Sequence, residues 1–139
     1  MGQTSSVQTV NFEDIQYIMN NNIKNYLIIN TLSKDNQKTL IKNTIDIDKE
    51  EHIINNYINN PSIKIIIYGS NSTDKSITIK YNQLISLGFV NVYVYRGGLF
   101  QWLLLQDIYG FELFPTTTTE LDILKYKSKG LFNSKLLGN

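Results

Sequence analysis

Hydrophobic and polar residues follow one another along the chain in a pattern that predicts strands and helices in turn. Runs of β-branched and aromatic residues at 25–31, 63–68 and 91–95 predict buried strands, and a short alternating run at 44–48 predicts another. Between these runs, apolar residues recur every three or four positions, which predicts amphipathic helices. Alternating strands and helices favour an α/β fold with a mostly parallel central sheet of about five strands and helices on both faces.

Helix boundaries are marked by side chains that cap backbone groups. Asn11, with Asp14 in the following turn, predicts the start of the first helix. Asp48 and Glu51 predict a capping box for the next helix. Gly88 predicts the end of the helix that follows the 63–68 strand, because glycine readily adopts the left-handed conformation of a C-terminal cap.

The chain has 139 residues, enough for one domain with its own core. We predict a domain over residues 10–127, a flexible N-terminal arm over 1–9 and a flexible C-terminal tail over 128–139. No apolar run is long enough to predict a membrane-spanning helix.

Composition excludes several kinds of chemistry. The chain contains no cysteine and a single histidine, so it has no disulfide, no thiolate nucleophile and no histidine-rich metal site. We therefore expect neither a metal nor a cofactor. The formal net charge of +1 gives no strong basic field, so nucleic acid is not an expected partner.

The stretch IIIYGSNSTDKS, residues 65–76, contains the candidate functional site. A buried strand ends in a loop rich in small polar residues, and a helix follows. Backbone N–H groups at a helix N-terminus favour anions, and Lys75 and Arg96 add positive charge nearby. The alternative is that the polar side chains only form the turn and cap the helix. The candidate residues are Gly69, Ser70, Asn71, Ser72, Thr73, Asp74, Lys75, Ser76 and Arg96.

The same region resembles the rhodanese-like domain family. The likeness is carried by the strand that ends in Tyr68, the helix end at 84–89, the Asn-Val-Tyr strand start at 91–93, and the Gly-Gly pair that precedes Trp102. It extends over about residues 10–110 and is strongest from 65 to 102. The resemblance implies the α/β fold already favoured by the hydrophobic pattern.

The departures from the family pattern bear on function. Active members carry a cysteine directly after the tyrosine, where this chain has Gly69. Where the family carries aspartate, arginine and histidine further upstream, this chain has Asn30, Leu32 and Leu40. Sulfur transfer proceeds through a cysteine persulfide, so the resemblance implies a site that has lost this reaction.

A hydroxyl nucleophile is disfavoured as a replacement. Ser70, Ser72 or Thr73 would need an adjacent base to become nucleophilic. His52 lies on a predicted helix that the resemblance places before the loop strand, away from the loop mouth. No catalytic residue is therefore predicted.

Two hypotheses for function follow. In the first, the chain is a non-catalytic protein-interaction or scaffold module with an unknown protein partner, as the resemblance implies for members without the cysteine. In the alternative, it is an enzyme or anion-binding protein that uses the 69–76 loop on a phosphorylated or sulfur-oxyanion ligand.

The N-terminus adds a membrane hypothesis. Gly2 followed by Ser6 matches the N-myristoylation pattern. The alternative is that these residues form an unmodified, flexible polar arm. The Asn-, Ile- and Lys-rich style resembles rhodanese-like proteins of large DNA viruses, so cytoplasmic, membrane-associated and virion-associated locations stay open. Lysines near the C-terminus could add contacts with an anionic surface: Lys125, Lys127, Lys129 and Lys135.

Overall fold

The computed structural model describes residues 7–132, which form four strands, four α-helices and two short 3-10 helices. The 3-10 helices span Lys34–Asn36 and Ile123–Tyr126. The strands and α-helices are β1 Gln8–Val10, α1 Phe12–Asn20, β2 Tyr26–Asn30, α2 Ile47–Asn56, β3 Lys64–Tyr68, α3 Ser76–Ser86, β4 Asn91–Tyr95 and α4 Gly98–Tyr109.

All the described strands are parallel and lie in the order β1-β4-β3-β2. The expected parallel α/β architecture is confirmed, with four strands within residues 7–132 where about five were expected. β3 lies inside the sheet, and Ile65 faces Leu27 on one side and Val92 on the other.

β3 is apolar throughout because it is covered on both faces. Ile66 and Tyr68 belong to a core cluster that also contains α1 and α4 side chains, such as Ile15 and Trp102. Ile65 and Ile67 point to the opposite cluster, which is completed by α2 and α3. The lack of polar alternation in the 63–68 run is thus explained by burial on both sides.

The predicted strand at 44–48 is wrong. Only Thr44 bridges to β2, at Ile28. The Asp46 side chain then accepts a hydrogen bond from the Asp48 N–H, and α2 begins at Ile47. Asp46 is therefore the N-cap, and the predicted Asp48–Glu51 capping box is wrong as well. The short alternation was overridden by a strong capping residue.

Two other predicted helix ends are confirmed. Asn11 caps α1 in a capping box with Asp14, in which each side chain accepts a hydrogen bond from the other residue's backbone N–H. Gly88 has a φ of +101° immediately beyond α3, and its N–H donates to the Ile85 carbonyl.

Part of the predicted flexible arm is ordered. Gln8 and Thr9 pair with Tyr93 and Val94, because the outer edge of β4 offers unpaired backbone groups that β1 satisfies. Gly2 lies outside the described residues. Within residues 7–132, no helix is both long enough and apolar enough to cross a membrane.

Candidate functional site

The candidate site lies at the carboxyl edge of the sheet, where β3 and β4 end. The 69–75 loop connects β3 to α3, and Arg96 and Gly97 connect β4 to α4. The sheet topology thus brings both predicted segments to the same edge, as expected for a parallel α/β fold.

Gly69 occupies a position with no room for a side chain. It is buried, and a β-carbon placed on it would lie 2.7 Å from Asp74 Oδ2 and 2.8 Å from Thr31 Oγ1. Both distances are well inside van der Waals contact. The space that a side chain at position 69 would need is filled by oxygen atoms of this chain.

The Asp74 carboxylate occupies the anion-binding position of the loop. Its Oδ2 accepts a hydrogen bond from the Ser70 N–H (3.1 Å), and its Oδ1 accepts one from the Ser76 N–H (3.0 Å). The Ser76 hydroxyl donates to the same Oδ1 (2.6 Å), and its oxygen lies 2.7 Å from the Thr31 hydroxyl oxygen. Donors that would favour a bound anion are therefore used by an internal carboxylate.

The backbone N–H groups at the start of α4 are also hydrogen-bonded to the loop. The Leu99 and Phe100 N–H groups donate to the Gly69 and Ser70 carbonyls, at 2.9 and 2.8 Å. Gly98 permits this approach, because its φ is +67° and a β-carbon there would lie 2.7 Å from the Gly69 carbonyl oxygen. These helix N-terminal donors bind the backbone of the loop.

The outer half of the loop forms a turn of its own. Asn71 Oδ1 accepts hydrogen bonds from the Thr73 N–H (3.0 Å) and the Thr73 hydroxyl (2.7 Å), and Asn71 Nδ2 donates to the Tyr126 carbonyl (2.8 Å). Ser72, Thr73 and Lys75 are exposed. The loop thus serves as the attachment point for the second 3-10 helix.

Cationic side chains do not converge on the loop. Arg96 is exposed, and its guanidinium forms no hydrogen bond or ion pair with any described residue. The nearest cavity, about 350 Å³, opens beside Thr31 and Ser76 and is lined further along by Glu50 and Lys80. Those two side chains are ion-paired with each other. Lys80 is therefore already neutralised.

His52 is exposed on α2, which packs on the far side of the sheet from α1 and α4. It makes no hydrogen bond with another described side chain. Within residues 7–132, no group of His, Cys, Asp and Glu side chains could hold a metal ion.

Asn30, at the position where the resemblance implies an aspartate, is a neutral hydrogen-bonding group. Its buried Oδ1 accepts from the Leu32 N–H (3.0 Å) and from Gln37 Nε2 (2.8 Å), while its Nδ2 donates to Gln37 Oε1 (3.0 Å). Leu32 and Leu40 are buried in the core cluster on the α1 and α4 side. These positions are now parts of the folded interior.

Tyr68, just before Gly69, is a structural residue. Its hydroxyl oxygen accepts a hydrogen bond from the Ile41 N–H (3.0 Å) and lies 2.8 Å from the Thr44 hydroxyl oxygen. Burial raises the pKa of Tyr68 well above its usual value, so the phenol stays neutral.

The profile of the rhodanese-like domain family matches residues 15–105, well over half of the chain. The chain belongs to the rhodanese-like family. No curated protein matches it.

Solved rhodanese-like structures share the fold. The rhodanese-like domain of the Anabaena sp. Alr3790 protein superposes with a TM-score of 0.57 at 19% identity, over 91% of this chain and 88% of that one. A full-length Lactobacillus plantarum protein gives a TM-score of 0.58 at 19% identity, over 70% of this chain and 82% of that one. Thiosulfate sulfurtransferase from Pseudomonas aeruginosa gives 0.56 at 18% identity, over 70% of this chain but only 19% of its own. These similarities concern the fold alone.

Sequence reasoning located the loop of this rhodanese-like chain but missed three residues that shape it. Thr31 and Tyr126 lie far from the loop in sequence, and Gln37 holds Asn30 in place. The only sequence signal for Thr31 was a hydroxyl residue at the end of a buried strand. Asp74 was predicted as part of an anion-binding loop, with helix capping as the alternative, and not as the internal occupant of the loop.

Proposed function

We propose that the chain is a non-catalytic rhodanese-like module that acts as an interaction or scaffold protein for another protein. One observation carries the proposal. Asp74 and Thr31 oxygen atoms occupy the space beside Gly69, where the resemblance implies a cysteine in active members. Without a cysteine at position 69 there is no sulfur on which a persulfide could form. The Asp74 and Thr31 oxygen atoms also fill the volume that a persulfide would need.

Assays of sulfur transfer from thiosulfate to cyanide, together with a phosphatase screen, test this proposal. We expect no turnover by the full chain. The Gly69→Cys variant is also expected to be inactive, because its thiol would lie against the Asp74 carboxylate, which raises a thiol pKa and disfavours the thiolate. Reproducible turnover that is lost on changing Ser70, Ser72 or Lys75 would favour an enzyme and contradict the proposal.

The alternative, an anion-binding protein, is opposed by the same hydrogen bonds. The Ser70 and Ser76 N–H groups already bind Asp74, so a phosphate would have to displace a tethered carboxylate. We expect phosphate and sulfate to leave the amide resonances of residues 69–76 unchanged. Saturable shifts confined to those amides would support the alternative.

We also propose that Gly2 is N-myristoylated, on the basis of the sequence pattern. The intact mass from native cells tests this: loss of Met1 with gain of one myristoyl group supports the proposal, and an unacylated mass with Met1 retained contradicts it. A single acyl chain anchors only marginally, and the absence of cysteine excludes palmitate as a second signal.

Lys125 is poorly placed to assist that arm. Lys125 is paired with Glu120 (2.9 Å), and the Tyr126 carbonyl is bound to the loop at the carboxyl edge of the sheet. The arm leads into β1, and parallel strands all begin at the opposite edge. A protein partner is therefore a better candidate than Lys125 for a second attachment. An origin in a large DNA virus stays a prediction from composition alone.

A further inference from the structure

The outward side of α4 and the turn after it form an uncovered apolar surface, which we call the α4 face. Ile108 and Tyr109 are 67% and 61% exposed, and their neighbours in the set are exposed as well. The α4 face consists of Leu104, Ile108, Tyr109, Phe111 and Leu113.

This exposure is unusual for the helix that bears it. The inward side of α4 is mostly apolar too, with Leu99, Trp102 and Leu103 buried in the core. A helix that is apolar on both sides is normally covered on both sides. The α4 face is continuous with the core, because the ring centroids of Tyr109 and buried Phe114 lie 6.3 Å apart. Apolar patches of this kind mark interaction sites.

The charges near the α4 face restrict the kind of partner that could bind there. Residues 97–124, which include all of α4, contain no lysine, arginine or histidine but four acidic residues. Asp107 and Glu112 lie among the α4-face residues in the sequence, are exposed and form no ion pair with any described residue. A complementary occupant is apolar and basic. An anionic membrane is opposed, because it would bring negative headgroups against two free carboxylates.

A segment of this composition exists in the chain itself. Residues 127–139, KSKGLFNSKLLGN, contain no acidic residue. Within it, Leu131 and Phe132 are 63% and 75% exposed, so they do not lie buried on their own α4. The segment combines three lysines with four large apolar residues: Lys127, Lys129, Leu131, Phe132, Lys135, Leu136 and Leu137.

We propose that residues 127–139 of one copy bind the α4 face of a second copy. The segment leaves the domain beside the start of α4, because the preceding 3-10 helix packs on that helix. Extended, it could reach roughly 40 Å, enough to extend beyond its own domain. The exchange is reciprocal, so two identical contacts form a closed, symmetric dimer.

Reversing the charges on each side tests the pairing. Sedimentation equilibrium of the full chain at low salt is expected to show a dimer that dissociates as salt increases. The variant Asp107→Lys with Glu112→Lys, and separately the variant Lys127→Glu with Lys129→Glu, should each weaken the dimer by about tenfold or more, because every changed contact occurs twice. A mixture of the two variants should regain dimers, since each segment then meets a face of opposite charge.

Two further variants make the test specific. Asp35→Lys with Glu51→Lys changes the net charge as much as the first variant does, but at exposed sites away from α4, and should leave the dimer intact. Phe132→Ser should weaken the dimer without changing the monomer, because its side chain is 75% exposed. The fluorescence of buried Trp102 during thermal unfolding confirms that each variant is folded.

Several outcomes would overturn the proposal. A wild-type chain that is monomeric at low salt at every concentration excludes the dimer, and this is also the result if the segment folds back on its own α4. A dimer insensitive to both charge reversals uses another interface. Binding to phosphatidylserine vesicles that is lost on changing Ile108→Ser, with no dimer, would assign the α4 face to a membrane.

Discussion

A side chain at position 69 should destabilise the fold, and removal of Asp74 should relieve most of that cost. The Gly69→Ala substitution adds one methyl group at 2.7 Å from Asp74 Oδ2 and 2.8 Å from Thr31 Oγ1. The contact with Asp74 is not easily relieved, because that carboxylate is held by the Ser70 and Ser76 N–H groups.

The expected cost is obtained from the interactions that the methyl group displaces. Forcing extra volume into a packed site costs about 1–3 kcal/mol. Replacing glycine also restricts the unfolded chain, which returns about 0.4–1 kcal/mol. We therefore expect Gly69→Ala to lower the free energy of unfolding by about 1–2 kcal/mol.

A double-mutant cycle isolates the contact. Asp74→Ala alone should cost about 1 kcal/mol, as for loss of a capping carboxylate. In that background Gly69→Ala should cost about 1 kcal/mol less than in the wild type, since Oδ2 is gone. Urea unfolding followed by the fluorescence of Trp102, the single and buried tryptophan, measures all four proteins.

Gly88→Ala provides the control. A β-carbon at Gly88 would have no atom within 4 Å, and its cost comes only from the φ of +101°. The cost of Gly88→Ala should be the same with and without Asp74. The reasoning is refuted if Gly69→Ala is as stable as the wild type, or if its cost does not change when Asp74 is removed.

Three further predictions concern residues around the site. Tyr95→Phe should lose stability less steeply than the wild type above about pH 10, because burial raises the pKa of Tyr95 in the folded state while the unfolded phenol ionises near 10. Urea unfolding from pH 8 to 11 measures this difference. Free energies of unfolding that change equally with pH in the two proteins would contradict it. Asn30→Asp should lower the free energy of unfolding by about 1–3 kcal/mol at pH 7, because it places a carboxylate beside Gln37 Oε1 without a cation. This loss should be smaller at pH 4. A loss of the same size at both pH values would argue against the prediction. Asn71→Ala should increase amide exchange and tryptic cleavage around Tyr126 by about fivefold, through loss of one hydrogen bond of about 1 kcal/mol; unchanged protection there would show that the bond is dispensable.

The fold could be predicted from the sequence wherever burial dictates the pattern. The 63–68 run is apolar because β3 is covered on both faces, and Asn11 and Gly88 mark helix ends through local geometry. The 44–48 strand failed because alternation over five residues is a weak signal and Asp46 is a strong cap. β1 was missed because a three-residue edge strand depends on its partner β4 and carries little pattern of its own.

The candidate site was located by sequence, but its state was not. A strand followed by small polar residues predicts a loop with free N–H donors, and nothing local reveals that Asp74 turns back to bind two of them. Thr31 reaches the loop only because β2 lies beside β3, a long-range pairing with no signal in the 69–76 stretch. Arg96 shows the reverse case: the chain brings it to the correct edge, yet its side chain stays exposed and unpaired among the described residues.

Gly69, at the position where the resemblance implies a cysteine, belongs to a set of mutually supporting contacts. With glycine at 69, Asp74 can approach the loop backbone, and with Asp74 there, the Ser70 and Ser76 N–H donors are satisfied within the fold. The start of α4 then binds the same loop through Leu99 and Phe100. Because these groups satisfy one another, a substitution at position 69 alone does not reopen the site. A cysteine would have to displace Asp74, and the displaced carboxylate would leave the half-buried Ser70 and Ser76 N–H donors without their present acceptor. The hydrogen bonds that hold this loop thus oppose a bound anion at the Ser70 and Ser76 N–H groups.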